Sequence, residues 1–132
     1  WAAAAPMSVV RSLPAVAAVG GKLYAIGGHG DAAHGPPRLQ SAEAFDPQTG
    51  AWAAVAPMAT GRDGARAAVL HSKIYVAGGV DDGGWLNSME IYDPATDTWA
   101  EAAPMATARS GFGMAALGGK IYAAGGNGGA GT

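Results

Sequence analysis

The stretch "KIYVAGG" (Lys73–Gly79) recurs as "KLYAIGG" (Lys22–Gly28) and as "KIYAAGG" (Lys120–Gly126). Its surroundings recur with it. Trp1, Trp52 and Trp99 each precede a Pro-Met pair, and each is followed ten positions later by an arginine: Arg11, Arg62 and Arg109. Thirteen positions further lie Tyr24, Tyr75 and Tyr122, and from each Trp to the first glycine of the pair is 26 positions in all three copies. Self-similarity of this kind marks a repeat architecture, in which each copy is one small unit that buries its core by stacking on its neighbours.

The copies are unequally spaced. Trp1 to Trp52 is 51 positions and Trp52 to Trp99 is 47, whereas Glu43 to Trp52 and Glu90 to Trp99 are both nine. The four-residue difference therefore lies wholly between the glycine pair and the Glu. Rigid elements keep their length and surface loops do not, so the segment after each glycine pair reads as a loop and the rest as scaffold.

Within a copy every local signal is β. "AVAAVGGKLYAIGG" (15–28) holds two apolar runs around Gly20-Gly21, a pair suited to a two-residue hairpin turn because its backbone takes φ > 0. Gly118-Gly119 repeats that turn, while His71-Ser72 in the second copy predicts a different one. In "SAEAFDPQTGAW" (41–52) and "SMEIYDPATDTW" (88–99) side chains alternate with period two, with Glu43 or Glu90 on one face. Asp46-Pro47 and Asp93-Pro94 then open turns, since Asp bonds the following backbone and Pro presets φ. No helical periodicity is present. Each period predicts four short antiparallel strands, a to d, joined as a meander, which is the pattern of a propeller blade. The glycine pair closing strand b predicts a place where neighbouring blades approach closely.

Composition narrows the functional classes. The 132 residues are 49% hydrophobic and 14% charged, with net charge −2 and no clustering of Lys and Arg, which argues against nucleic-acid binding. No apolar run reaches the roughly 18 residues of a membrane span. No secretory leader is read, and a soluble protein is expected, with the cytoplasm favoured. Without cysteine the chain has no disulfide, thiolate metal site or Cys nucleophile.

The run "NSMEIYDPATDTWAEAAPMATARSGFGMAALGGKIYAAGG" (Asn87–Gly126) resembles the kelch motif in its double glycine, the Tyr before it, the Glu-x-Tyr-Asp-Pro turn, the Trp and the Pro-Met-x-x-x-Arg segment. The likeness covers nearly the whole chain, with Phe45 replacing Tyr in the first copy. The resemblance implies an all-β fold of kelch-type β-propeller blades. The expected division is strand d of a preceding blade over 1–10, blades over 11–57 and 58–104, and a partial blade of strands a and b over 105–132. Two complete and two partial blades do not close a ring from one chain. A segment of a larger propeller is therefore expected, completed by further blades of a parent chain or of other copies. Self-completion ranks second, because head-to-tail pairing leaves strand c missing at each junction.

Residues needed in every blade read first as scaffold. Trp52, Trp99, Tyr75 and Tyr122 are expected to pack between sheets, and Glu43 and Glu90 to satisfy nearby donors. In a meander the a–b and c–d turns lie on one face and the b–c and d–a connections on the other. Only the b–c loops vary, so the b–c/d–a face is the expected working face. Its candidate binding residues are Arg11, Arg62 and Arg109, as a ring gripping carboxylates or, as their repetition favours, as pairing groups within each blade. The unrepeated Arg38, Asp63 and Arg66 are freer to be specific. Trp85 reads equally as an exposed anchor or as a side chain tucked into the next blade. His29, Asp31 and His34 fall within six residues without forming a recognised metal signature, and Asp81-Asp82 lacks the oxygen count of a calcium site. No metal or cofactor is expected.

The resemblance implies a non-catalytic protein-interaction module, since kelch propellers commonly recognise proteins through their loops and some recruit substrates to ubiquitin ligases. The alternative it implies is part of a carbohydrate-binding or sugar-processing propeller, similar to sialic-acid mutarotases. The related copper oxidases need a Cys that this chain lacks.

Overall fold

A computed structural model describes residues 1–31, 33 and 37–128. The first sheet holds β1 (Ala15–Val19), β2 (Lys22–Ile26), β3 (Ala42–Asp46) and β4 (Ala51–Val55), paired antiparallel in chain order. The second holds β5 (Arg66–Leu70) and β6 (Lys73–Ala77), then, beyond a small hairpin of β7 (Val80–Asp81) and β8 (Gly84–Trp85), β9 (Met89–Asp93) and β10 (Thr98–Ala102). A third unit follows: β11 (Arg109–Ser110), β12 (Gly113–Leu117), β13 (Lys120–Ala124) and β14 (Asn127–Gly128), with β12 on β13 and β11 on β14. Among the described residues there is no helix. The first two sheets are four-stranded meanders of the propeller-blade type, the third unit supplies two-stranded pairs, and the sheets do not close into a ring.

Local chemistry explains the strand ends. The register Val19↔Lys22 leaves two residues for the turn, and Gly20 and Gly21 take φ of 59° and 74°. The register Leu70↔Lys73 leaves the same two-residue space, and His71 and Ser72 are driven to φ of 50° and 61°. The different turn expected there is not found. Two-residue connections must match the right-handed twist of the strands, which demands positive φ whatever the residue. At the c–d turns Asp46 Oδ1 accepts from the Gln48 N–H at 2.9 Å and Asp93 Oδ1 from the Ala95 N–H at 3.0 Å.

Strand β5 lies against both β1 and β12, so the first strand of each blade is innermost and the fourth outermost. Between the first two sheets, Tyr24, Ile74, Val76 and Tyr92 form the core with Ile26 and Met58. The Tyr24 and Tyr92 rings are 5.7 Å apart and those of Tyr92 and Trp99 5.0 Å. Burial of equivalent residues tracks the presence of a neighbour. Tyr24 faces the second sheet and is 5% exposed, whereas Tyr122, in the same position on the third unit, is 54% exposed. Packing between sheets, expected for Tyr122, is absent because no sheet lies beyond it among the described residues. Likewise Ile74 is fully buried while its counterpart Leu23 is 38% exposed.

The glycine pairs sit where a Cβ would collide. One on Gly27 would lie 2.7 Å from the Arg62 carbonyl oxygen of the next connection, and one on Gly28 would lie 2.6 Å from the Ser12 oxygen of its own. At Gly78 it would overlap the Arg109 carbonyl oxygen. Further links join successive blades outside the core. The Trp99 indole N–H donates to the Ala56 carbonyl at 2.6 Å, and the Trp52 N–H to the Ala5 carbonyl at 2.8 Å. Ala5 and Ala56 stand at equivalent repeat positions, four residues after Trp1 and Trp52. Residues 1–10 nevertheless form no strand. A fourth strand needs a third beside it for its ladder, and none lies there among the described residues.

Candidate interaction face

Each d–a connection opens with an arginine. Arg11 Nε and Nη2 donate to Glu43 Oε2 at 3.2 and 3.1 Å, Nη1 to the Gly27 and Ser41 carbonyls, and Nη2 to Ser41 Oγ. Arg62 repeats the pattern with Glu90 Oε2 at 3.0 and 2.9 Å, the Gly78 and Ser88 carbonyls and Ser88 Oγ. The other oxygen of each Glu accepts a backbone N–H, from Ser8 or Ala59. Burial alone raises the pKa of Glu43, but the donors on Ser8 and Arg11 outweigh it and hold the carboxyl below the usual glutamate range. Arg11 and Arg62 are thus not presented to a partner: both are buried, Arg62 at 1% exposure, with their donors spent inside the blade. Arg109 Nη1 bonds the Gly125 carbonyl at 2.8 Å, but its buried Nε has no partner, since no Glu-bearing strand is described beside it.

The other candidates gather on the b–c/d–a side. The d–a backbone pairs with the start of the b–c loop in each blade, through Ser12↔His29, Asp63↔Val80 and the β11–β14 ladder. Arg38 Nη1 reaches Asp82 Oδ1 at 2.7 Å, tying the b–c loop of the first blade to that of the second. Asp63 Oδ2 lies 3.5 Å from His29 Nδ1, again between blades. Arg66 Nε donates to the Phe112 carbonyl at 2.9 Å and its Nη1 to Ala65. Asp81 Oδ1 accepts the Gly83 N–H at 2.7 Å, shaping the β7–β8 turn that carries Trp85, which is 51% exposed. Trp85 is therefore displayed rather than tucked away. A cleft of about 360 Å³ opens beside the start of that turn, lined by Arg38, Gln40, Thr60, Gly61, Asp81 and Asp82. His34 lies outside the described residues. Asp31 Oδ1 accepts the Ala33 N–H.

Nearest the axis, the d–a connections form their own short ladder. The Gly64 N–H donates to the Leu13 carbonyl at 3.3 Å and the Gly111 N–H to the Gly64 carbonyl at 3.1 Å. All three residues have positive φ: 51°, 69° and 64°. Leu13 escaped the sequence reading, although the signal was there: "RSL" stands where the other copies have "RDG" and "RSG".

On the opposite side the a–b turns are two residues long, and two clefts open there, one of about 480 Å³ beside Lys22, Leu23, Phe45 and Pro47 and one of about 450 Å³ beside Lys22, Thr49, Pro94 and Asp97. Asp97 Oδ1 accepts from the Tyr92 hydroxyl at 2.7 Å and from the Ala56 N–H at 2.8 Å. These donors, the Ala56 N–H first, hold the Asp97 carboxyl below its usual range, while burial and the Asp97 hydrogen bond push the Tyr92 phenol upward. The first blade has Phe45 and Gly50 at these two positions, so hydroxyl and carboxylate are lost together.

Among the described residues, no group of three or more His, Cys, Asp or Glu converges as metal ligands would. The His29–Asp63 separation exceeds hydrogen-bond length, and neither residue lines the cleft.

Residues 3–129 match the family model described as the KLHDC2/KLHL20/DRC7 Kelch-repeats domain. The chain belongs to the kelch-repeat family. It is 39% identical over 80 residues to human Kelch-like protein 33, across 60% of this chain and 14% of that protein. Against an F-box/kelch-repeat protein of Arabidopsis thaliana the identity is 37% over 79 residues, 60% of this chain and 20% of the relative. The mouse influenza virus NS1A-binding protein homolog is 39% identical over 74 residues, 56% of this chain and 11% of its own. The chain thus spans at most a fifth of the length of these relatives. The solved structure of YjhT superposes with a TM-score of 0.83 at 20% identity, covering 93% of this chain and 47% of that one, a likeness of fold. No helix among the described residues is long and apolar enough to cross a membrane.

Proposed function

We propose that the chain is a non-catalytic protein-interaction segment of a larger kelch propeller, binding through its b–c/d–a face. Residues 11–57 and 58–104 are its whole blades, and 105–132 begin a third. One observation carries the reading. The side chains that break the repeat and reach solvent (Trp85, Asp82, Arg38, His29) lie on that side, over a scaffold in which Arg11 and Arg62 are internally consumed. Binding groups concentrate on variable loops held by rigid elements, and an exposed Trp beside charged neighbours is a common energetic anchor. The names of the relatives, Kelch-like proteins and a virus-protein-binding homologue, support a protein as partner.

A second reading, part of a carbohydrate-binding or sugar-processing propeller, draws on the cleft lined by Arg38, Gln40, Thr60, Asp81 and Asp82, side chains that suit a polyol. A random-peptide display selection and a glycan array, run on the same immobilised chain, separate the two. The proposal expects peptide ligands whose binding drops about tenfold or more in Trp85→Ala. Glycan binding with no peptide ligand would favour the second reading.

A further inference from the structure

We infer that the cleft between the two complete blades on the a–b/c–d side binds a small organic cation, a primary amine on an apolar body. The site stands apart from the b–c/d–a face and does not rest on the protein-binding reading of it.

Three observations converge. First, both walls of the cleft are present. Tyr24 and Ala44 come from β2 and β3 of the first blade, and Tyr92, Pro94 and Asp97 from the second, so the space of about 450 Å³ does not come from an absent blade. Its volume falls in the range of small-molecule sites. Second, the repeat contains residues that would fill it. Ala44 and Ala51 line the cleft, and the second blade has Ile91 and Thr98 at the equivalent positions. Protein interiors are close-packed, and alanines at this junction forgo the contacts that larger side chains would make. Third, a buried polar group is left open. Tyr24 lines the cleft at 5% exposure, and its hydroxyl makes no hydrogen bond among the described residues. Burying an unpaired hydroxyl costs stability, and a ligand that bonds it recovers that cost. The nearby Tyr92 hydroxyl is by contrast satisfied by Asp97 at 2.7 Å.

The chemistry of the occupant follows from the groups without partners. Lys22 and Asp46 stand 3.8 Å apart and offset one another. Asp97 has no cation beside it. Its Oδ1 accepts from the Tyr92 hydroxyl and the Ala56 N–H, and its Oδ2 accepts nothing among the described residues. Burial, and after it the Asp97 charge, push the Tyr24 phenol upward, so the open hydroxyl and the unpaired carboxylate lie within electrostatic reach of each other. The cleft therefore carries one uncompensated negative charge over a floor of alanine methyls. An ammonium has three donors, enough for Asp97 Oδ2 and the Tyr24 oxygen together, while its apolar body covers Ala44, Ala51 and Ala53. An anion would meet Asp97 with like charge.

The test titrates phenethylamine into the whole chain and follows amide chemical shifts, with phenylacetate and phenethyl alcohol as probes of similar size and different charge. The amine is expected to shift 44–46, 51–55 and 94–97 and to bind at least about tenfold more tightly than either control. Tyr24→Phe removes only the unpartnered hydroxyl, and Asp97→Asn keeps a side-chain oxygen for Tyr92 and Ala56, so both variants fold; melting midpoints confirm it. Each is expected to weaken amine binding about tenfold. Ala44→Ile, which copies the second blade, is expected to abolish it, and Trp85→Ala to leave it unchanged. Equal binding of the three probes would overturn the cation. Absence of amine binding, or an affinity unchanged in both Tyr24→Phe and Ala44→Ile, would overturn the site and leave the protein-binding face standing.

Discussion

Arg62→Ala measures how much of the fold depends on the repeated arginine. The guanidinium is buried and holds Glu90 Oε2 through two donors, the Gly78 and Ser88 carbonyls through Nη1, and Ser88 Oγ. Truncation leaves the Glu90 carboxylate buried and opposed only by the Ala59 N–H at 2.7 Å. Breaking a buried pair by removing one partner costs about 3–5 kcal/mol, most of it the stranded charge. Arg109 supplies the control within the same chain. It holds the equivalent position, but its one side-chain hydrogen bond is to the Gly125 carbonyl, so Arg109→Ala is expected to cost about 1 kcal/mol. Equilibrium urea unfolding followed by tryptophan fluorescence reads both, since Trp99 is anchored across the same blade junction through the Ala56 carbonyl. With a slope of roughly 2 kcal/mol per molar urea, the Arg62 variant should lose about 2 M of midpoint and the Arg109 variant about 0.5 M. Equal losses, or a loss below about 1 kcal/mol for Arg62→Ala, would refute the assignment of Arg62 to scaffold.

Three further outcomes follow from the same geometry. Gly78→Ala, where a Cβ would overlap the Arg109 carbonyl and φ is +67°, should cost more than about 3 kcal/mol, and Gly118→Ala, with φ +58° and open space around it, about 1 kcal/mol; thermal melts of the two decide this. Replacing His71-Ser72 by Asn-Gly, the pair suited to the left-handed turn they occupy, should raise stability by about 1 kcal/mol in the same assay. Because the folded pKa of Glu43 is depressed, its contribution is fully present above the unfolded carboxyl pKa and fades as pH falls through the folded value. Glu43→Gln should therefore be less stable than wild type at neutral pH and show a shallower loss below about pH 4, measured by urea midpoints across pH.

The sheet framework was legible in the sequence because each strand is a period-two run closed by turn residues. The close approach at the glycine pairs was readable because only a missing side chain tolerates a carbonyl at that distance. The His71-Ser72 turn was misjudged because propensity was weighed without the register, and the two-residue gap overrides the preference of the residues. Pairing of the arginines within each blade was favoured by their repetition, but which residues they pair with was not readable. Their partners Glu43 and Glu90 lie 32 and 28 residues away, and the pairing emerges only once strand c lies beside the connection. The Arg38–Asp82 and His29–Asp63 pairs were invisible for a related reason. Each spans two blades, and nothing in the repeat relates one member to the other. Leu13 was readable in principle as the one side chain in a column of glycines, but its left-handed conformation is a backbone angle that sequence does not report.

The central claim is that repeated residues build the blades while the irregular residues after each glycine pair, with the adjoining d–a connections, do the binding. Hydrogen–deuterium exchange of the chain with and without a display-selected peptide tests it in one measurement. The account predicts protection confined to 11–14, 29–31, 37–39, 62–66 and 80–87. Protection centred instead on the opposite turns, at 19–23, 46–51, 70–73 and 93–98, would contradict it.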